Sequence, residues 1–159
     1  MNKISDQIQI LKGDITKIKA DAIVNAANTS LLGGGGVDGA IHHAAGPELL
    51  EECRRLNGCK TGEAKLTRAY LISTAQYIIH TPGPVYKNLD NDSFLLENSY
   101  KNSLLLAFSK ELNSIAFPAI SCGVYGYPPD KAARIAITTV INFLKKNTFP
   151  KKVIFVLFS

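Results

Sequence analysis

The sequence predicts a layered α/β domain, and three observations carry the prediction. Short apolar runs alternate with segments whose apolar residues recur at helical spacing, from one end of the chain to the other. Two of these runs, Ala22-Ile23-Val24 and Val153-Ile154-Phe155-Val156-Leu157-Phe158, are continuous, as strands covered on both faces are. The loops GDIT, NAANTSLLGGGGVDG and SCGVYG, rich in glycine and small polar residues, each follow a strand.

Taken in order, Ile8 and Ile10 alternate with Gln7 and Gln9, a short strand. Gly13-Asp14-Ile15-Thr16 turns the chain towards the run at Ala22. Beyond the glycine-rich loop, Val37, Ile41 and Ala45 recur at helical spacing. Gly46-Pro47 ends that helix and opens the next, because proline is tolerated in a first turn. Leu49, Leu50, Cys53 and Leu56 form the second apolar stripe, and Gly58 is its stop. Strands follow at Lys65–Tyr70 and Tyr77–His80, the latter ended by Thr81-Pro82-Gly83-Pro84. A long helix capped by Asp92 or Ser93 carries Leu96, Tyr100, Leu104, Ala107 and Phe108. Ser114–Ile120 is a strand. Pro129 and Asp130 open a helix with Ala132, Ile135, Ala136, Thr139 and Phe143 inward. If the strands before the three unusual loops are parallel, the loops meet at one sheet edge, where open α/β sheets bind ligands.

A length of 159 residues suits one domain, and a hydrophobic content of 46% excludes a disordered chain. No apolar run is long enough to span a bilayer, and the start, MNKISDQIQILKGD, has no apolar core of a signal peptide. Cys53, Cys59 and Cys122 form no CxxC pair, so a reducing, cytoplasmic setting is expected and no membrane partner. The net charge of +5 suits an anionic ligand. Lys145, Lys146, Lys151 and Lys152, however, read as a solvated helix end and the turn after it. No aromatic-and-basic platform supports nucleic-acid binding.

The two glycine-bearing loops suggest a phosphate cradle. Glycine lets successive N–H groups face one oxygen, and a following helix N-terminus adds its positive dipole end. Neither loop holds a lysine or arginine, which fits a pyrophosphate held by backbone amides. No Gly-Lys-Ser or Gly-Lys-Thr completes a P-loop. Gly34 to Gly39 match G-x-G-x-x-G literally, but Asn28 to Leu32 separate them from the strand that a dinucleotide fingerprint follows at once. Asp38, at the glycine-to-helix junction, is a helix-start carboxylate favoured by the dipole, or an acid, base or water-positioning group beside a phosphate. Asn28 is a turn residue, or an amide that holds a sugar hydroxyl and a water. Asp14 caps a helical turn or accepts from an adenine amino group. Tyr125 fills a turn or lies on a sugar face. His42 and His43 diverge on a helix, and no His/Cys/Asp spacing closes a coordination shell, so neither metal nor cofactor is expected. His80 reads as a hydrogen-bonded structural histidine and Cys122 as a small residue, not a nucleophile.

In this order GDIT, DAIVNAANTSLLGGGGVDGAIHHAAG, TGEAKLTRAY, YIIHTPGP and SIAFPAISCGVYGYP closely resemble the macro domain family, in particular its MacroD-type branch. The resemblance runs from Gln9 to about Phe158. It implies a three-layer α/β/α sandwich with a central mixed sheet, a cleft for ADP-ribose, and hydrolysis. The implied reactions are removal of ADP-ribose from acidic side chains of mono-ADP-ribosylated proteins and deacetylation of O-acetyl-ADP-ribose. By position, Asn28 and Asp38 resemble the family's catalytic pair. Asp14 resembles the adenine acceptor, with Ile15 beside it. Gly35, Gly36 and Val37 resemble one pyrophosphate loop, and Ser121, Cys122, Gly123, Val124, Tyr125 and Gly126 the other, with Tyr125 against the distal ribose.

Two departures stand out. The second loop reads Ser-Cys-Gly where the branch usually has Ser-Thr-Gly. The resemblance also implies one macro domain over residues 1–159 that ends in its last strand, where relatives usually continue into a further helix; an exposed apolar patch is expected there. The alternative to the hydrolase is a reader module that binds ADP-ribose without turnover, and the presence of both Asn28 and Asp38 favours the enzyme.

Overall fold

The structure, a computed structural model, describes residues 3–158. Six strands form one sheet: β1 (Ile8–Lys12), β2 (Ala22–Ala27), β3 (Lys65–Arg68), β4 (Tyr77–Pro82), β5 (Ser114–Phe117) and β6 (Lys152–Leu157). Their spatial order is β1-β6-β5-β2-β4-β3. All neighbours pair parallel except β3, which runs antiparallel to β4 at one edge, so the sheet is mixed. Four helices connect the strands: α1 (Gly36–Ala45), α2 (Pro47–Leu56), α3 (Asp90–Ser109) and α4 (Pro129–Lys146). Among the described residues no helix is long and apolar enough to cross a membrane.

The continuous apolar strands are sandwiched between two separate hydrophobic layers. Ala22 and Val24 join Leu96, Tyr100 and Leu104 of α3 and Ala136 and Val140 of α4 on one face. Ile23, between them in sequence, points the other way, to Ile41 of α1 and Leu49 and Cys53 of α2. Residues successive along a strand alternate between faces, so one run supplies both layers. The result is the three-layer α/β/α sandwich.

Several boundaries differ from the sequence reading. The strand expected over Ser114–Ile120 stops at Phe117, because Pro118 has no N–H to continue the ladder. The strand expected over Lys65–Tyr70 stops at Arg68, and Tyr70 adopts a left-handed φ of 49°. Helix α3 begins two residues before Asp92, which sits in its first turn and accepts from Lys87 N at 2.8 Å and Leu89 N at 3.1 Å. Those backbone donors hold its carboxyl below the usual range. Phe108 is exposed while Ala107 takes the core position. The last strand, β6, is interior, between β1 and β5, and buries Val153 to Val156. Apolar exposure at that end falls on Leu157 and Phe158, and on Ile10 of the edge strand β1.

One side chain ties this frame to the loop after β5. Tyr100, fully buried on α3, donates its hydroxyl to Pro118 O at 3.4 Å and accepts from Ile120 N at 3.3 Å. Tyr100→Phe strands that buried N–H, which costs about 1–3 kcal/mol. A thermal melt is expected to show a midpoint lower by roughly 2–10 °C.

Candidate functional site

Three loops leave the carboxyl ends of the parallel strands. The turn after β1 holds Asp14, the glycine loop after β2 holds Asn28 to Gly35 and leads into Gly36 and Val37 of α1, and the loop after β5 holds Ser121 to Gly126. Strands β2 and β5 are direct neighbours, so the two glycine loops start side by side. They then diverge: Leu31 and Val37 anchor the first in the α1–α2 layer, while Ile120, Cys122 and Tyr127 anchor the second in the α3–α4 layer. Loops that diverge from neighbouring strands are where open α/β sheets bind ligands, in a crevice at the sheet edge.

Asp14 uses one carboxylate oxygen, Oδ1, to accept from Thr16 N at 2.9 Å and Thr16 Oγ1 at 2.7 Å. The cap on the short 3-10 turn Ile15–Lys17 is therefore real, and the Thr16 hydroxyl first, then its backbone N–H, hold the Asp14 carboxyl below the usual range. Capping leaves acceptor capacity on Oδ2. Ile15 is buried beneath, in the same layer as Val37.

The glycine loop is organised by Asn28. Its Nδ2 donates to Gly33 O at 3.0 Å, and its Oδ1 accepts from Ser30 N at 3.1 Å. The turn role read from sequence is thus observed, and one N–H of the amide remains for another partner. Gly36 has a φ of 57°, which favours glycine. Gly39 is packed so closely that a Cβ would lie 2.6 Å from Gly34 O, so the carbonyl of the loop rests on the bare helix surface. By contrast, a Cβ on Gly35, Gly36, Gly123 or Gly126 would meet nothing within 4 Å: these backbones face open space.

Asp38 lies in the first turn of α1 and is buried. A Cβ built on Gly34 would stand 3.0 Å from Asp38 Oδ2 and 3.4 Å from Asn28 Nδ2, so both side chains converge on one point of the glycine turn. The other oxygen, Oδ1, accepts from Asn25 Nδ2 at 2.8 Å, with His42 Nε2 3.5 Å away. Burial pushes the Asp38 carboxyl above its ordinary value, against the lowering effects of the Asn25 bond and of His42. A carboxylate held in this way is a better proton acceptor than an exposed one.

The second loop is strained. Ser121 is buried with a left-handed φ of 67°, and its Oγ makes no hydrogen bond. Such strain is retained where the surroundings impose it, often at sites that bind. Gly83, after β4, backs onto it: a Cβ there would collide with Ser121 Oγ and the Ile120 side chain. Tyr125 O accepts from Tyr86 N at 2.8 Å, and the Tyr125 ring is half-buried. Val124 is fully exposed at the loop tip. Burial pushes the Cys122 thiol up, away from a nucleophilic thiolate.

Behind Asp38, His80 is the hydrogen-bonded structural histidine read from sequence, while its partners Asn25 and Thr67 were missed. Asn25 and His80 are fully buried, opposite one another in the β2–β4 register, with Asn25 Nδ2 3.1 Å from His80 Nδ1. Thr67 Oγ1 lies 2.9 Å from His80 Nε2. The signal was present: AIVN and YIIH are apolar runs that both end on a polar residue at the fourth position, and parallel pairing in register makes those residues neighbours. His42, read only as diverging from His43, is the one of the two that faces Asp38; His43 is exposed.

A family model described as Macro domain matches residues 24–136. The chain is 54% identical over 148 residues to the Xenopus laevis ADP-ribose glycohydrolase MACROD2, covering 92% of this chain and 35% of that protein. It is 50% identical over 161 residues to the O-acetyl-ADP-ribose deacetylase of Salmonella newport, covering 98% and 89%. Among solved structures, a mutant of the Oceanobacillus iheyensis macrodomain with ADPR superposes with a TM-score of 0.93 at 48% identity, covering 99% of this chain and 89% of that one.

His80 carries a consequence for stability. Burial lowers its pKa to about 3, whereas a histidine in the unfolded chain titrates near about 6.5. Below the unfolded value the unfolded state binds the proton and the folded state does not, so folding weakens as pH falls through that window. Chemical denaturation in a pH series is expected to show this loss, and His80→Asn to flatten it.

Proposed function

We propose, since the chain belongs to the macro domain family, that its crevice binds ADP-ribose and hydrolyses an acyl ester on the distal ribose. Both the removal of ADP-ribose from acidic side chains and the deacetylation of O-acetyl-ADP-ribose are cleavages of this kind. The observation that carries the reading is the convergence of Asn28 and Asp38 on one point of a glycine turn whose backbone is bare. The relatives named glycohydrolase and deacetylase, and the ADPR in a close structural neighbour, support it.

Asp14 Oδ2 accepts the adenine amino group, and Ile15 supplies the apolar floor beside it. The open backbones of Gly35, Gly36 and Val37 on one side, and of Ser121 to Gly126 on the other, surround the pyrophosphate with N–H groups and the N-terminal end of α1. Cys122 then contributes its backbone, where a hydroxyl is not required. Tyr125 lies against the distal ribose. The free N–H of Asn28 donates to a ribose oxygen and fixes the sugar. Asp38 Oδ2 holds a water on the side of the ester carbonyl and draws its proton as the oxygen attacks. The acyl–oxygen bond breaks, Asp38 returns that proton to the departing ribose oxygen, and the acid leaves with the water's oxygen. A cytoplasmic setting, where mono-ADP-ribosylated proteins are substrates, fits the unpaired cysteines.

Two sets of variants test this. Asp38→Ala and Asn28→Ala are expected to cut single-turnover hydrolysis by ~10²-fold or more, the scale of a lost base or positioning group. ADP-ribose affinity in calorimetry falls far less, a few-fold at most for Asn28→Ala, which also frees Gly33 O. Full activity in the double variant removes both residues from the chemistry, and a wild-type protein that binds ADP-ribose without turnover is a reader. Asp14→Ala removes a charge-assisted hydrogen bond of about 1.5–3 kcal/mol, so affinity for ADP-ribose drops roughly 10- to 100-fold. An unchanged affinity removes Asp14 from the site.

A further inference from the structure

Behind Asp38 runs a buried chain of polar groups whose proton positions constrain one another. Thr67 Oγ1 donates to Arg68 O at 3.1 Å, which uses its only proton. The hydroxyl must then accept from His80 Nε2, 2.9 Å away. A neutral imidazole protonated at Nε2 offers a bare Nδ1, and that nitrogen faces Asn25 Nδ2 at 3.1 Å. The Asn25 amide therefore donates one N–H to His80 and its other to Asp38 Oδ1 at 2.8 Å. Its own Oδ1 makes no hydrogen bond and is buried. That orphan acceptor is informative. Turning the amide over would give Oδ1 a place near the imidazole only by setting an oxygen against the carboxylate.

We infer that His80, held in its Nε2–H tautomer by Thr67, is a positioning residue that locks the Asn25 amide with an N–H on Asp38. This rests on the reading of Asp38 as the group that activates water, and deepens it. Neither Thr67 nor His80 touches the crevice; they act through Asn25. The alternative tautomer sets an Nδ1–H against the Asn25 N–H. The amide then rotates, Asp38 loses its donor, and its Oδ2 is no longer aimed at the glycine turn. The low pKa of His80, about 3, keeps the ring neutral, as the relay requires. The second atom near Nε2, Cys53 Sγ at 3.9 Å, is a poor substitute acceptor for the Thr67 hydroxyl.

The titratable groups near Asp38 are His42 on its own helix and Cys53 on α2, with His80 on β4 beyond the Asn25 amide. Thr67→Val changes the charge of none of them and preserves shape. It is expected to lower kcat roughly tenfold with KM unchanged, on the scale of one hydrogen bond to a charged group. The acidic limb of the kcat profile moves up by roughly half to one pH unit, because Asp38 loses a bond that favours its ionised form. Thr67→Ser restores both. A purely structural Thr67 moves the melting temperature and leaves the pH profile in place; that result overturns the inference.

A direct reading needs no variant. Long-range 15N–1H correlation NMR on the labelled full chain is expected to show His80 with a bare Nδ1 and a protonated Nε2. The opposite tautomer overturns the relay, even if Thr67→Val fails to fold. A protein that binds ADP-ribose and releases no product overturns the hydrolase reading instead, and the tautomer measurement still decides the relay.

Discussion

An asparagine at the centre of the sheet sets the conditions for everything around it. Asn25 lies in β2, which has β5 on one side and β4 on the other, and it is wholly buried. A primary amide in such a place must have partners, since burying it bare costs more than most side chains contribute. One partner comes from the next strand, the His80 ring. The other comes from α1, which has to dock with Asp38 turned inward. The orientation of α1 then places the glycine turn over the end of β2. Helix, turn and strand end are thus held together by one amide.

The polar pocket behind the crevice does not behave as a surface would. Asp38, His80, Thr67 and Asn25 are all buried, and low-dielectric surroundings strengthen each satisfied bond while penalising each missing one. A carboxylate raised by burial and restrained by one donor is poised between a resting acid and an ordinary salt-bridge residue. The nearest cationic candidate, His42, stands at 3.5 Å. Among the described residues no lysine or arginine shares in the hydrogen bonds of Asp38, so no fixed cation offsets its burial.

Much of this was legible in the order of residues. The apolar strands, the helices at Val37, Leu49, Leu96 and Ala132, and the three loops at one edge follow from periodicity and turn chemistry, which are local. The glycine run, with Asn28 and Asp38 at its ends, stood out because close approach to bare backbone is one use of so much glycine. What stayed hidden depends on register. Asn25, Thr67 and His80 lie in three strands, and only pairing in space makes them a chain of bonds. Ser121 gave no sign of its left-handed backbone, and its close neighbour Gly83 comes from the end of another strand. Phe117 ends β5 for a local reason, Pro118, which the apolar character of Ala119-Ile120 had masked.

The two hydrophobic layers share the sheet but hold the two glycine loops separately, one loop per layer. A ligand that lies across both loops is a cross-brace between the two layers, in addition to the sheet they share. Its binding free energy then adds to the cohesion of the whole domain, by about 2.7 kcal/mol at a hundredfold excess over Kd. A ligand held by both loops raises the cost of opening either layer without the other. Occupancy of a surface cleft is thereby converted into cooperativity of the core.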